Sequence, residues 1–197
     1  VSFTITSDIA NPIRITSTLS EGTKDSCVAP DTLITLADGS QKRIDQVTYA
    51  DQLLVWDFYT GQYTVASPSA IYNYGTQLWT VTNLHFSDGT VVKMIIEHEF
   101  FDVAANSFVY ITENNVGEFV GREFLKVDGD GFKAVTLVGY EYTEEYTGSY
   151  TILTAVHYNC IAEGMLSLTA DPSYKCETFF RIFEVGENMT FDAEKMQ

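Results

Sequence analysis

The chain is short of several things that whole classes of protein depend on. Three cysteines in 197 residues, Cys27, Cys160 and Cys176, cannot all pair within one molecule, which excludes a disulfide framework. Basic residues are scarce, 11 against 27 acidic ones for a formal charge of -16, and the one adjacent basic pair is Lys42-Arg43. A nucleic-acid-binding face and polybasic attachment to a membrane are thereby excluded as expected partners. No apolar run approaches the roughly 20 residues of a spanning helix, so the chain is expected to be soluble. Helix-period segments, internal repeats and low-complexity stretches are also missing, apart from a short helix-like run over 190–196. No signal peptide opens the chain. Val1 stands where an initiator Met would, so the sequence reads as an excised fragment with no stated location.

What is present favours strands. Hydrophobic residues make up 45% and aromatic ones 14%, with Tyr and Phe far ahead of Trp, a composition that suits an all-β globule and excludes disorder. The length allows one domain with short flanks. Val1 to Thr16 reads as two short strands around Asn11-Pro12. Further strands are expected after Cys27, over Ile44 to Val47, Asp51 to Asp57, Tyr63 to Val65 and Leu78 to Phe86. Then follow Val91 to Phe101, Phe108 to Thr112, Phe124 to Val127, Val135 to Val138 and Tyr150 to His157. The turns are Asp38-Gly39, Thr60-Gly61, Ser87-Asp88-Gly89 and Asp128-Gly129-Asp130-Gly131. The last has a calcium-loop look, but the ligands expected downstream do not follow, so a hairpin turn is the better reading and no metal is expected.

The densest signal is Cys27-Val28-Ala29-Pro30-Asp31-Thr32-Leu33-Ile34-Thr35, a cysteine feeding directly into a strand. Its thiol lies within reach of the carbonyl of Ser26, the geometry an acyl shift requires. This run resembles the first motif of the Hint family, shared by inteins, hedgehog autoprocessing domains and bacterial intein-like domains. The resemblance implies a horseshoe-like, hairpin-rich β fold over 27–169, with an upstream flank at 1–26 and a C-terminal flank at 170–197. It makes Cys27 the nucleophile and Ser26-Cys27 the scissile bond, with Asp31 and Thr32 in support.

A second family motif, Thr-x-x-His before an apolar pair, resembles Ile95-Ile96-Glu97-His98-Glu99-Phe100-Phe101 and implies that His98 protonates the departing nitrogen. Ile95 replaces the usual threonine. Loss of one such donor typically costs about 2.7 to 4 kcal/mol of transition-state stabilisation, so a slow site is expected unless a backbone amide or Asp31 substitutes. Strand alternation puts Asp102 on the His98 side and Glu97 and Glu99 opposite, making Asp102 the residue expected to tune His98. The third motif resembles Val156 to Leu166, with His157 as its histidine. Splicing inteins then end His-Asn, where this chain has Ser167-Leu168-Thr169. Full splicing is therefore not expected.

These features together imply single-turnover, cis-acting self-cleavage or acyl transfer. The substrate is the upstream polypeptide, the acceptor is water, a thiol or an amine, and no cofactor takes part. The sterol transfer of hedgehog domains needs a longer C-terminal region than Ala170 to Gln197. The competing reading is a catalytically impaired, Hint-derived β scaffold within a larger bacterial surface or phage-related protein.

Overall fold

A computed structural model describes residues 27–169. The expected flanking strands in 1–16 and the helix-like run at 190–196, with Ser26 and Cys176, lie outside the described residues. Thirteen strands account for most of the described chain: β1 Cys27–Val28, β2 Leu33–Thr35, β3 Gln41–Arg43, β4 Leu53–Asp57, β5 Gln62–Ala66, β6 Pro68–Phe86 and β7 Val91–Ile95. After them come β8 Glu97–Asp102, β9 Ser107–Thr112, β10 Glu123–Asp128, β11 Gly131–Thr154, β12 Asn159–Ala162 and β13 Met165–Leu168. The protein is all-β, as the composition implied, with two single-turn 3₁₀ segments at Ile44–Gln46 and Val116–Phe119. The first of these replaces the strand expected over Ile44 to Val47. Ile44 and Val47 are both buried there, so the apolar spacing that suggested a strand is three rather than two.

All pairings are antiparallel. Eleven strands form one sheet, ten of them along the path β1-β7-β6-β11-β10-β8-β13-β12-β2-β3 and β9 beside β8, while β4 and β5 make a separate hairpin. β1 also pairs with β11 through Val28 and Tyr150. The frame is the long ribbon of β6 and β11, paired from Leu137 and Phe86 at one end to Thr154 and Pro68 at the other. Its middle carries exposed side chains on both strands, including Tyr72, Leu78, Tyr142 and Tyr146, while its two ends enter the packed body.

Turn chemistry sets the registers. At Ser87-Asp88-Gly89 the Gly89 amide donates to Phe86 O at 2.9 Å, and Lys126 bonds Asp88 and Thr90 to tie this turn to β10. Asp128 pairs with Gly131 across a two-residue hairpin loop, as the turn reading of that run required. Between β12 and β13, Glu163 and Gly164 have φ of 51° and 79°, the paired positive values of a type I′ hairpin turn. A Cβ on Gly164 would also come within 2.9 Å of Lys126 Cε. The largest core gathers Leu84, Phe86, Phe100, Phe124, Leu137 and Met165, and a second surrounds Val28, Ile34, Leu53 and Ile152.

Candidate functional site

Cys27 opens β1 and pairs directly with Ile95 at the end of β7, which in turn pairs with Val81 on β6. Residues directly opposed in a ladder point to the same face. Accordingly Cys27, Ala29, Val81 and Ile95 form one small buried cluster, with Trp79 and Ile96 packed against it. Ile95, standing where the motif has threonine, is thus the immediate neighbour of the thiol. Cys160 belongs to a different cluster, and burial pushes its thiol up to about 12, which makes it inert as a nucleophile at neutral pH.

The run Val91 to Phe101 is not the single strand that its apolar sequence suggests. Ile96 has φ of 69°, a left-handed value that a β-branched residue adopts only under constraint, at a typical cost of about 1 to 3 kcal/mol. The reversal ends β7 and starts β8. β7 belongs with β1 and β6, whereas β8 pairs with β9, β10 and β13.

The break takes His98 out of the β7 ladder and into a small apolar cavity shared with Val28, Ile34, Cys160, Leu168 and Thr169. β1 packs against β8 beside this cavity. The imidazole is 5% exposed, and burial alone pushes its pKa down to about 4, so it is neutral at pH 7. Its Nε2 lies 3.2 Å from Ser167 Oγ, Phe100 packs at a ring distance of 4.9 Å, and Nδ1 has no partner among the described residues. Ser167 pairs with Phe100 across β8 and β13, which puts its hydroxyl on the His98 face. When that hydroxyl donates to Nε2, the ring proton sits on Nδ1, the nitrogen left open.

No protein-family model and no curated protein matches the chain. Solved structures do. The DnaB intein from Synechocystis sp. PCC 6803 superposes with a TM-score of 0.62 at 15% identity, over 74% of this chain and 99% of that one. A KlbA intein precursor from Methanococcus jannaschii gives 0.63 at 11%, over 80% and 97%, and the DnaX mini intein from Spirulina platensis 0.57 at 18%, over 72% and 98%. The chain has the Hint fold. At these identities the likeness is one of architecture, and it spans nearly the whole of each intein.

Within the Hint fold the remaining predicted site residues are dispersed. Asp102 lies on the same side of β8 as His98, but four residues at roughly 3.3 Å each separate them. It is committed elsewhere: its buried carboxylate pairs with Arg122 Nε at 2.7 Å and accepts the Ala105 amide at 2.7 Å. The expected tuning of His98 is therefore corrected, and burial alone lowers that ring. Asp31 is exposed and pairs with Lys93 Nζ at 3.0 Å, so its carboxylate supplies no donor to the thiol. Thr32 is buried, and its backbone holds the entry to β2 by bonding Ala29 O and the Ile44 amide.

His157 falls in the turn after β11, because that strand stops at Thr154 rather than continuing to 157. It lies within electrostatic reach of Asp57 and outside the lining of the His98 cavity. Asn159, two residues on, is fully buried. Its Oδ1 accepts the Trp56 amide at 2.7 Å, while Nδ2 donates to Trp56 O at 2.8 Å and His157 O at 2.7 Å. Thr169 lines the same cavity as His98, and its hydroxyl is 3.0 Å from Thr154 Oγ1. Sequence reasoning did not single out Ser167, Asn159 or the Ile96 reversal as parts of the site. A polar residue in the otherwise apolar Met165-Leu166-Ser167-Leu168 was the one available hint.

Proposed function

We propose that residues 27–169 are an autoprocessing Hint domain that isomerises the Ser26-Cys27 peptide bond to a thioester. The Cys27 thiol loses its proton to solvent and Sγ attacks the Ser26 carbonyl carbon. The new C–S bond forms, the C–N bond breaks, and the departing Cys27 nitrogen takes the Nδ1 proton of the minor imidazolium form of His98, which solvent replenishes with the proton the thiol gave up. The thioester is less stable than the amide, so the reaction returns to peptide unless water, a thiol or an amine takes the acyl group. The outcome is release or transfer of the upstream segment.

The observation that carries this reading is a buried histidine with an open Nδ1, on a strand packed against the one that Cys27 opens. Leu168 and Thr169 occupy the positions where a splicing intein has His-Asn, and a threonine side chain has no amide to cyclise. Upstream cleavage is accordingly proposed without downstream cleavage. His157 has no assigned step.

Incubating the full chain with hydroxylamine or dithiothreitol and measuring intact mass tests the proposal. A fragment ending at Ser26 and a partner beginning at Cys27 are expected, and Cys27→Ala must abolish both. Absence of that fragment from the wild type under every trapping condition would sink the proposal. It would favour the impaired scaffold instead, a reading to which the sealed aliphatic contact between Cys27 and Ile95 lends support.

A further inference from the structure

Ile95 leaves the thiol without the hydroxyl that the motif supplies, yet the same cluster contains a different donor. Trp79 packs against Cys27, Ala29, Val81 and Ile95, and its indole Nε1 is buried with no hydrogen-bond partner among the described residues. Leaving such a donor unsatisfied costs stability for no gain in packing. Glu145, directly across the ladder on β11, does not take it and instead receives Thr143 Oγ1 at 3.2 Å.

Register specifies where this donor lies. Val81 pairs with Ile95, and Ile95 with Cys27, so Trp79, two residues from Val81, shares their face. β6 runs antiparallel to β7, and β7 antiparallel to β1. Moving from Val81 to Trp79 therefore follows β1 backward, past Cys27 toward the peptide bond that enters it. β7 ends at Ile95 and turns away at Ile96, so no further β7 residue continues the ladder beside Trp79.

We infer that the Trp79 indole N–H is the oxyanion donor for this reaction, hydrogen-bonding the carbonyl oxygen of residue 26 as Cys27 attacks it. This rests on the autoprocessing reading above. As Sγ adds to the carbonyl carbon, the π electrons move onto oxygen, and the indole N–H stabilises that negative charge. When the C–N bond breaks, the carbonyl reforms as the thioester. Trp79 gives up no proton. It replaces, from the second strand over, the hydroxyl absent at position 95.

The test compares hydroxylamine-dependent release of the upstream segment from four full-length proteins: wild type, Trp79→Phe, Trp79→Phe with Ile95→Thr, and a chain with benzothienylalanine placed site-specifically at position 79. The sulfur analogue keeps the shape of tryptophan and lacks the N–H. Loss of one preorganised donor predicts a rate about a hundredfold to a thousandfold lower for Trp79→Phe and for the analogue. Ile95→Thr should restore much of the rate in the Trp79→Phe background. Wild-type rates from the analogue would overturn the assignment even where Trp79→Phe is slow, because packing alone would then explain the loss. No release from the wild type would remove the autoprocessing reading and this assignment together, whereas release that is equally fast in all four would remove Trp79 only.

Discussion

Ser167 Oγ lies 3.2 Å from His98 Nε2 inside the protein, and this is the ring's hydrogen bond while Nδ1 stays open. The mechanism proposed above uses the tautomer in which this hydroxyl donates to Nε2 and the ring proton sits on Nδ1. Ser167→Ala removes that hydrogen bond with little change in volume. The expected result is a cleavage rate about tenfold lower in the hydroxylamine assay, consistent with the usual worth of one buried hydrogen bond. Nitrogen chemical shifts of a His98-labelled sample should show a mixture of tautomers where the wild type shows one, with Nδ1 protonated.

Acid should weaken the fold through the same ring. Burial holds His98 at about 4 in the folded protein, against 6.5 for an unhindered imidazole. Above pH 6.5 neither state is protonated there and the group contributes no pH dependence. As pH falls from 6.5 to 4 the unfolded chain binds a proton that the folded one refuses, so stability drops, by about 3 kcal/mol over the window. Urea midpoints measured between pH 7 and 4 should fall accordingly, and His98→Gln should flatten that part of the curve. Asp88 acts lower down. Despite partial burial, its bonds to Lys126 and Thr90 hold it at about 2, so its loss is confined to pH below about 4.

Asn159 substitutes a side-chain amide for a stretch of β ladder, bonding both the amide and the carbonyl of Trp56. Asn159→Ala leaves these groups and His157 O unsatisfied in a part-buried setting, at an expected cost of about 3 kcal/mol. The loss should appear as a lower urea midpoint. Hydrogen exchange should quicken first in the β4–β5 hairpin, which Asn159 ties to β12.

Val156 offers a change in the opposite direction. Its φ is 72° and its side chain is 78% exposed, while the His157 amide donates to Ala155 O at 2.9 Å across it. This tight three-residue turn is strained for any β-branched residue. Val156→Gly loses almost no packing and relieves the strain, partly offset by glycine's greater freedom in the unfolded chain. A gain of about 1 kcal/mol is expected, seen as a rise in Tm of about 3 °C. An unchanged or lower Tm would show that the turn carries no strain.

The parts of the fold that were legible in sequence are those set by local chemistry. Asp-Gly and Gly-containing turns marked the hairpins at 38–39, 88–89 and 128–131, and the lone cysteine ahead of a strand marked the entrance to the Hint fold. The parts that were not legible are set by distant packing. Nothing about Ile96 distinguishes it from a strand residue, since its left-handed backbone is imposed by the divergence of β7 and β8. Alternation correctly put Asp102 on the His98 side, but alternation is silent on distance and on Arg122, which comes from twenty residues downstream in the chain. Trp79 reads as one more strand aromatic until the ladder register aligns it with Cys27.

β1 is only two residues long, yet it is held on both sides, by β7 and by Tyr150 of β11. Breaking the bond before Cys27 leaves both of those attachments in place. The strand that begins with the nucleophile then begins with a free amine at the same spot, inside the same frame. A molecule that has reacted is expected to keep the circular dichroism and melting profile of one that has not. The history of each copy would be written in its mass and in the chemistry of its first residue, which makes N-terminal labelling the direct way to count how many copies have fired.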